Sequence, residues 1–250
     1  MTDEPARILS PEAQGEALGR VIETVDDLTR REVSSVVIFD LDGTLLDNRP
    51  RTYYIMREAA ELLDDTPQLR AAMTRVLDLD TIHYSLEETL RGMGVDDESE
   101  HVLVIEEWKK RFFTDRYQRF DVPHAGARRF VDAVHRAGAT VIYLTGRDRE
   151  RMLVGMIDSL RQYGFPVGIV GTMTITKADM NQDDETFKKE TLDYLKRLGT
   201  VVATFENEPG NANLLQAQFP AADNFLLATQ HSPGAAVPHD GLVHIRDFQY

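Results

Sequence analysis

The run Val36-Val37-Ile38-Phe39-Asp40-Leu41-Asp42-Gly43-Thr44 decides how the rest of the chain is read. Its β-branched and aromatic opening, with no polar interruption, predicts a strand buried on both faces, as in a parallel sheet. The strand stops at Asp40. Side chains alternate along a strand, so Asp40 and Asp42 begin on the same side. Gly43 then lets the chain turn away without a Cβ penalty. Two carboxylates this close repel each other unless a cation or a shared proton compensates. In an open α/β sheet, ligands bind beyond the carboxyl ends of the strands, where this pair falls. A hard divalent cation that prefers oxygen ligands is the matching partner. An EF-hand loop also opens with Asp-x-Asp, but its glycine comes later, after a third oxygen ligand, and a helix precedes it. Gly43 comes too early and follows a strand, which excludes that alternative.

Outward from this point the chain alternates. Short apolar runs at Val141-Ile142-Tyr143-Leu144, Val167–Thr174, Val201–Phe205 and Phe225-Leu226-Leu227 are predicted strands. Between them, Phe130, Val131 and Val134 lead to Gly138, Met152, Leu153, Met156 and Leu160 to Gly164, and Leu192 and Leu195 to Gly199. Each is a helical pattern ending where a left-handed glycine is expected. Upstream, Leu18, Val21, Ile22, Val25 and Leu28 predict an amphipathic helix over residues 11–30. The expected fold class is therefore α/β, a Rossmann-like doubly wound parallel sheet with helices on both faces. Residues 48–124 break the alternation. Ile55, Ala59, Leu62 and Leu63 share one helical face, as do Leu69, Met73, Val76 and Leu77, and again Val104, Trp108 and Phe112. These predict an all-helical insertion at 48–124, with 1–47 and 125–250 forming the α/β core and Gly92–His101 linking two of the inserted helices.

Composition sets the outer limits. The chain has 250 residues, enough for one core plus an insertion, and 42% of them are hydrophobic and 28% charged. A net charge of −14 argues against broad nucleic-acid or anionic-membrane binding, which needs a basic footprint. With no cysteine, disulfides, thiolate metal sites and thiol catalysis are excluded. Met1-Thr2-Asp3-Glu4-Pro5 lacks the order of a signal peptide, so the expected location is the cytoplasm. The seven histidines show no His-x-x-x-His spacing and are read as surface or core residues. Tyr53, Tyr54, Trp108, Phe112 and Phe113 are read as packing rather than a base-stacking platform. Gln230-His231-Ser232-Pro233 is read as a loop with no Ser-His pair, and no phosphate-binding or dinucleotide glycine pattern occurs.

With Asp40-Leu41-Asp42-Gly43-Thr44 at the end of an apolar strand, the sequence resembles the haloacid dehalogenase superfamily over most of its length. The second motif of that family, a Thr or Ser ending the next core strand, matches Thr145 in Leu144-Thr145-Gly146-Arg147. Its third, a lysine before the fourth strand, matches Lys188, with Lys189 as the neighbouring alternative and Lys177 placed on an upstream loop. Its fourth, one or two acids after that strand, falls on Glu206-Asn207-Glu208, where the family usually has Asp. The insertion then looks like the family's helical cap. The resemblance implies a Mg²⁺-dependent phosphohydrolase acting on a small phosphorylated metabolite through an aspartyl-phosphate. A phosphotransferase or mutase, or a non-catalytic binding protein with a drifted fourth motif, are the alternatives. In that scheme Asp40 is the nucleophile and Asp42 the general acid and base, while Thr145 and Lys188 bind phosphate oxygens. Asp40, the Asp42 carbonyl and Glu206 hold the metal, with Asn207 as an orienting neighbour in the same metal group and Glu208 behind it. Thr44, Gly146, Arg147 and Asn48 flank the substrate, with Arg49 and Arg147 equally readable as salt-bridge residues.

Overall fold

A computed structural model describes residues 8–75, 78–178, 181 and 183–250, without the side chains of residues 184 and 185. Val76 and Leu77, and the segment Met1–Pro5, lie outside the described residues. The chain divides into two compact units. One comprises Met1–Leu46, Pro123–Glu150 and Leu160–Tyr250, and the other comprises Asp47–Val122 and Arg151–Ser159.

The first unit is built on a sheet. Strands β1 (Ser35–Phe39), β4 (Thr140–Asp148), β5 (Thr172–Lys177), β6 (Thr200–Glu206), β7 (Asp223–Leu227) and β8 (Val243–Ile245) lie in the order β5-β4-β1-β6-β7-β8. All five neighbouring pairs are parallel, so β1 sits inside the sheet between β4 and β6. The predicted α/β, Rossmann-like parallel sheet is present. Alternation along β1 sends Val36 and Ile38 into a core with Leu144, Leu192, Leu195, Leu215 and Phe219. Leu192 and Leu195 belong to helix α8 (Asp184–Leu195), and Leu215 to α9 (Pro209–Gln218). On the other face, Phe39 stacks on Phe205 at 4.9 Å between ring centroids and Phe205 on Phe225 at 4.6 Å. Phe130 of α6 (Ala127–Ala137) meets this stack edge-on, and α6 packs with α1 (Pro11–Arg30). Helices thus cover both faces, as the unbroken apolar strands require.

Several local expectations are corrected. The strand predicted at Val167–Thr174 begins only at Thr172. The Thr172 hydroxyl accepts from the Ile169 N–H at 3.1 Å and donates to its carbonyl at 2.7 Å, closing a turn ahead of the strand. Lys177 is the last residue of β5 rather than part of a loop. Helix α8 stops at Leu195, four residues before Gly199. Short β8 was not predicted, because three residues interrupted by His244 carry too little pattern to read.

The second unit is helical: α2 (Arg49–Leu62), α3 (Pro67–Ala72), α4 (Leu86–Gly92) and α5 (Glu98–Phe112), with 3₁₀ turns at Leu79–Thr81 and Asp115–Phe120. Its core gathers Met56, Ala59, Leu69, Ile82, Leu90, Val95 and Val104, with Trp108 packed against it. Leu62, expected on the inner face, is 64% exposed, because α2 ends there and the chain turns extended at Leu63. The aromatic residues pack as predicted, Trp108 against Phe112 at 4.3 Å and Tyr53 edge-on to Tyr54. Short strands β2 (Leu46–Asp47) and β3 (Val122–Pro123) pair where the chain leaves the sheet unit and returns. The middle of α7 (Arg149–Gln162), residues Arg151–Ser159, groups with the helical unit. Among the described residues, no helix is long and apolar enough to cross a membrane.

Candidate active site

Parallel strands end together, and here four of them deliver polar side chains to the same edge of the sheet. Asp40 directly follows β1, and its N–H donates to the Phe205 carbonyl of β6 at 3.0 Å. That bond sets Asp40 beside Glu206, the last residue of β6, and both acids are buried. Lys188, one turn into α8, joins them: its Nζ donates to Asp40 Oδ1 at 3.2 Å and to Glu206 Oε2 at 2.5 Å. Lys188 is 2% exposed, whereas Lys189 points to solvent. Burial pushes the Asp40 carboxyl well above its ordinary value, the neighbouring charges of Glu206 and Asp42 add to this, and Lys188 relieves part of it. Burial works to lower the Lys188 ammonium, yet Asp40 and Glu206 together hold it above its usual range.

Glu206 is held from behind. Its Oε1 accepts from the N–H groups of Asn207 at 3.2 Å and Glu208 at 3.1 Å. Asn207 is committed at both ends of its amide, accepting from the Thr44 hydroxyl at 3.1 Å and donating to the Gln230 carbonyl at 2.7 Å. It therefore clasps the turn after the first strand to the loop at Gln230. Gly43 faces this clasp at φ +77, and a Cβ there would stand 2.3 Å from Asn207 Nδ2. Both conformation and space require glycine. Thr44 is buried, and Glu208 turns outward from the cluster to accept from the Ser232 N–H at 3.0 Å and hydroxyl at 2.7 Å.

The far side is shaped by an irregularity in β4. Thr145 pairs with Thr176 and Asp148 with Lys177, so Gly146 and Arg147 fall outside the ladder. An interruption of this kind re-aims side chains. Arg147 uses it to reach Asp42, donating through Nε at 2.9 Å and Nη2 at 2.8 Å in a two-pronged bond. Its backbone N–H donates to the Thr145 hydroxyl at 3.3 Å, and both residues are buried. Asn48 belongs to the helical unit, where it precedes α2 and its carbonyl accepts from the Thr52 N–H at 3.2 Å. Arg49, in the same unit, forks onto Asp47 and reaches Asp80 at 2.7 Å, the salt-bridge alternative.

A family model described as haloacid dehalogenase-like hydrolase matches residues 35–160, just over half of the chain. The chain is a haloacid dehalogenase-like hydrolase. The match runs from the start of β1 into α7, so it takes in Asp40, Asp42 and Thr145 and ends before Lys188 and Glu206. Solved structures resemble this hydrolase in fold. A candidate phosphatase from Clostridium difficile is 13% identical with a TM-score of 0.54, over 86% of this chain and 95% of its own. Protein Tyrosine Kinase A of Mycobacterium tuberculosis is 17% identical with a TM-score of 0.51, over 86% and 94%. No curated protein matches the sequence.

The hydrolase also contains contacts that sequence reasoning missed. Thr229 donates to the Gly43 carbonyl at 2.6 Å, and Gln230 and Ser232 of the same loop hold Asn207 and Glu208. The only available signal was position, since this loop follows a strand next to β6 in the sheet. The donor set also fits a divalent metal. Asp40 and Glu206 present hard oxygen donors side by side, two buried carboxylates with the Lys188 ammonium between them.

Proposed function

We propose that this hydrolase is a Mg²⁺-dependent phosphohydrolase acting on a small phosphorylated metabolite. The observation that carries the proposal is the shared placement of Asp40, Glu206 and Lys188: two buried carboxylates on one buried ammonium at the ends of adjacent parallel strands. Mg²⁺, held by Asp40, Glu206 and the Asp42 carbonyl, would supply charge neutralisation for the phosphoryl oxygens. Asp40 attacks phosphorus as its carboxylate, and the bond from phosphorus to the leaving oxygen breaks to give an aspartyl-phosphate. Asp42 gives the leaving oxygen its proton, then takes one from the water that attacks phosphorus and frees Asp40. Lys188 and the Thr145 hydroxyl offer donors to the remaining phosphoryl oxygens.

Arg147 adds a constraint to this cycle. A carboxylate that accepts both prongs of a guanidinium has no proton to give. The acid step therefore needs Arg147 drawn off Asp42, and phosphoryl oxygens compete well for the same fork. The helical unit, inserted after the first motif, is proposed as the cap that chooses the leaving group. The test is orthophosphate release from an aryl phosphate and a panel of metabolite phosphates, with Mg²⁺ and with chelator. Asp40→Asn is expected to abolish release while the protein stays folded. Turnover retained in that variant overturns the assignment of the nucleophile.

A further inference from the structure

The helical unit holds a second group of ionisable side chains that the proposed reaction does not use. Glu98 and His101 stand three residues apart on α5 and so share one face of it, and Glu87 comes from α4. One ligand atom from each lies within 4.8 Å of the others. A cluster of acids alone would mean little. The histidine is the second observation.

The His101 ring is 2% exposed, and its Nε2 lies 2.7 Å from the Val95 carbonyl oxygen. A carbonyl only accepts, so Nε2 carries the hydrogen and Nδ1 presents its lone pair. Nδ1 is buried and has no hydrogen-bond partner, and the nearest acid oxygen, Oε2 of Glu98, is 3.9 Å away. A buried imidazole lone pair beside the Glu98 carboxylate, with Glu87 within reach and the other ring nitrogen fixed by a backbone carbonyl, is the arrangement of a metal-ligating histidine. We propose that Glu87, Glu98 and His101 form a Zn²⁺ site that clips α4 to α5. One imidazole nitrogen and two carboxylate oxygens suit that ion, with a water in the fourth position.

The two glutamates are also served by Arg91, whose Nη2 donates to Glu87 at 2.5 Å and to Glu98 at 3.0 Å. Arg91 balances their charge but leaves Nδ1 without a donor. Its side chain is 51% exposed, so it is free to swing into solvent when the metal enters. Ligands about 2.0–2.2 Å from Zn²⁺ stand roughly 3.3 Å apart. The two glutamates, 45% and 71% exposed, can close that difference by changing rotamer. A search for paired histidines passes over Glu98-Ser99-Glu100-His101, because only one histidine is involved.

The test titrates ZnCl₂ into the full-length, ¹⁵N-labelled protein with Mg²⁺ in excess to occupy the Asp40 site. The expected result is a stoichiometric shift of the His101 Nδ1 resonance while Nε2 keeps its hydrogen, together with a higher melting temperature. Glu98→Gln, at an exposed position, should weaken Zn²⁺ by about tenfold or more, and Arg91→Ala should strengthen it by removing the rival cation. A His101 Nδ1 resonance unmoved by millimolar Zn²⁺ overturns the site. Unchanged affinity in both variants overturns it as well.

Discussion

Asp40 is buried, faces Glu206 and shares one lysine with it, and its carboxyl is pushed well above the ordinary value, first by burial and then by the Glu206 charge. Its raised pKa has a definite sign in the stability of the metal-free protein. The folded state binds the Asp40 proton more tightly than the unfolded chain does. That contribution is fully present below the ordinary value of 3.8 and is lost as pH rises through the raised one. At neutral pH without metal, Asp40→Asn should therefore melt above the wild type, by about 2–4 °C for each ~1 kcal/mol of relieved repulsion. Calorimetry across a pH series should show this gap closing on acidification, and a gap that widens would contradict the account. Residues of this kind were legible in the sequence because their types are few and their spacing to a strand end is fixed. Asp40, Thr145, Lys188 and Glu206 each follow or face an apolar run. Thr229, Gln230 and Ser232 were not legible, since a loop residue that bonds a carbonyl across the sheet edge leaves no trace in local pattern.

Among the elements, those set by their own residues were readable to the residue. Helix α1 spans Pro11–Arg30, with Ser10 as its cap accepting from the Ala13 N–H and proline in its first turn. Elements set by distant partners were less readable. The irregularity in β4 extends a strand that local pattern ends at Leu144, because its continuation depends on Lys177 of β5 rather than on Gly146 or Arg147. The helical unit has its own anchor that sequence alone did not expose. Arg51 of α2 forks onto Asp121 just past the second 3₁₀ turn, both fully buried, with the guanidinium 4.4 Å from the Phe112 ring centre. Removing one partner strands a buried charge, so Asp121→Ala should cost about 3–5 kcal/mol in urea unfolding. Replacing both, as Arg51→Met with Asp121→Leu, should recover most of the loss. Equal losses in the single and double variants would mean that the pair does not act through its charge.

For the whole molecule, the net charge of −14 opposes the approach of a phosphate dianion, while Lys188 attracts it only at short range. Screening acts over about 8–10 Å at physiological salt, so it removes the distant repulsion first. The expectation is that kcat/KM for a small phosphate ester rises several-fold from low to physiological ionic strength, measured at constant free Mg²⁺. A fall over the same range would mean that an attractive local field already governs encounter. The path of the chain also has a genetic consequence. Glu150 closes one stretch of the sheet unit and Leu160 opens the next, yet the residues between them belong to the helical unit. There the Gly155 N–H donates to Asp115 at 2.6 Å, and the Met152 carbonyl accepts from Gln118 at 2.8 Å. A Cβ at 155 would come within 2.2 Å of the Asp115 carbonyl oxygen. A recombination event that exchanged residues 47–122 with those of a cousin would thus leave the stretch 151–159 fitted to a departed neighbour. Inheritance of new specificity in this lineage should proceed by point changes, or by double crossovers that carry both segments together.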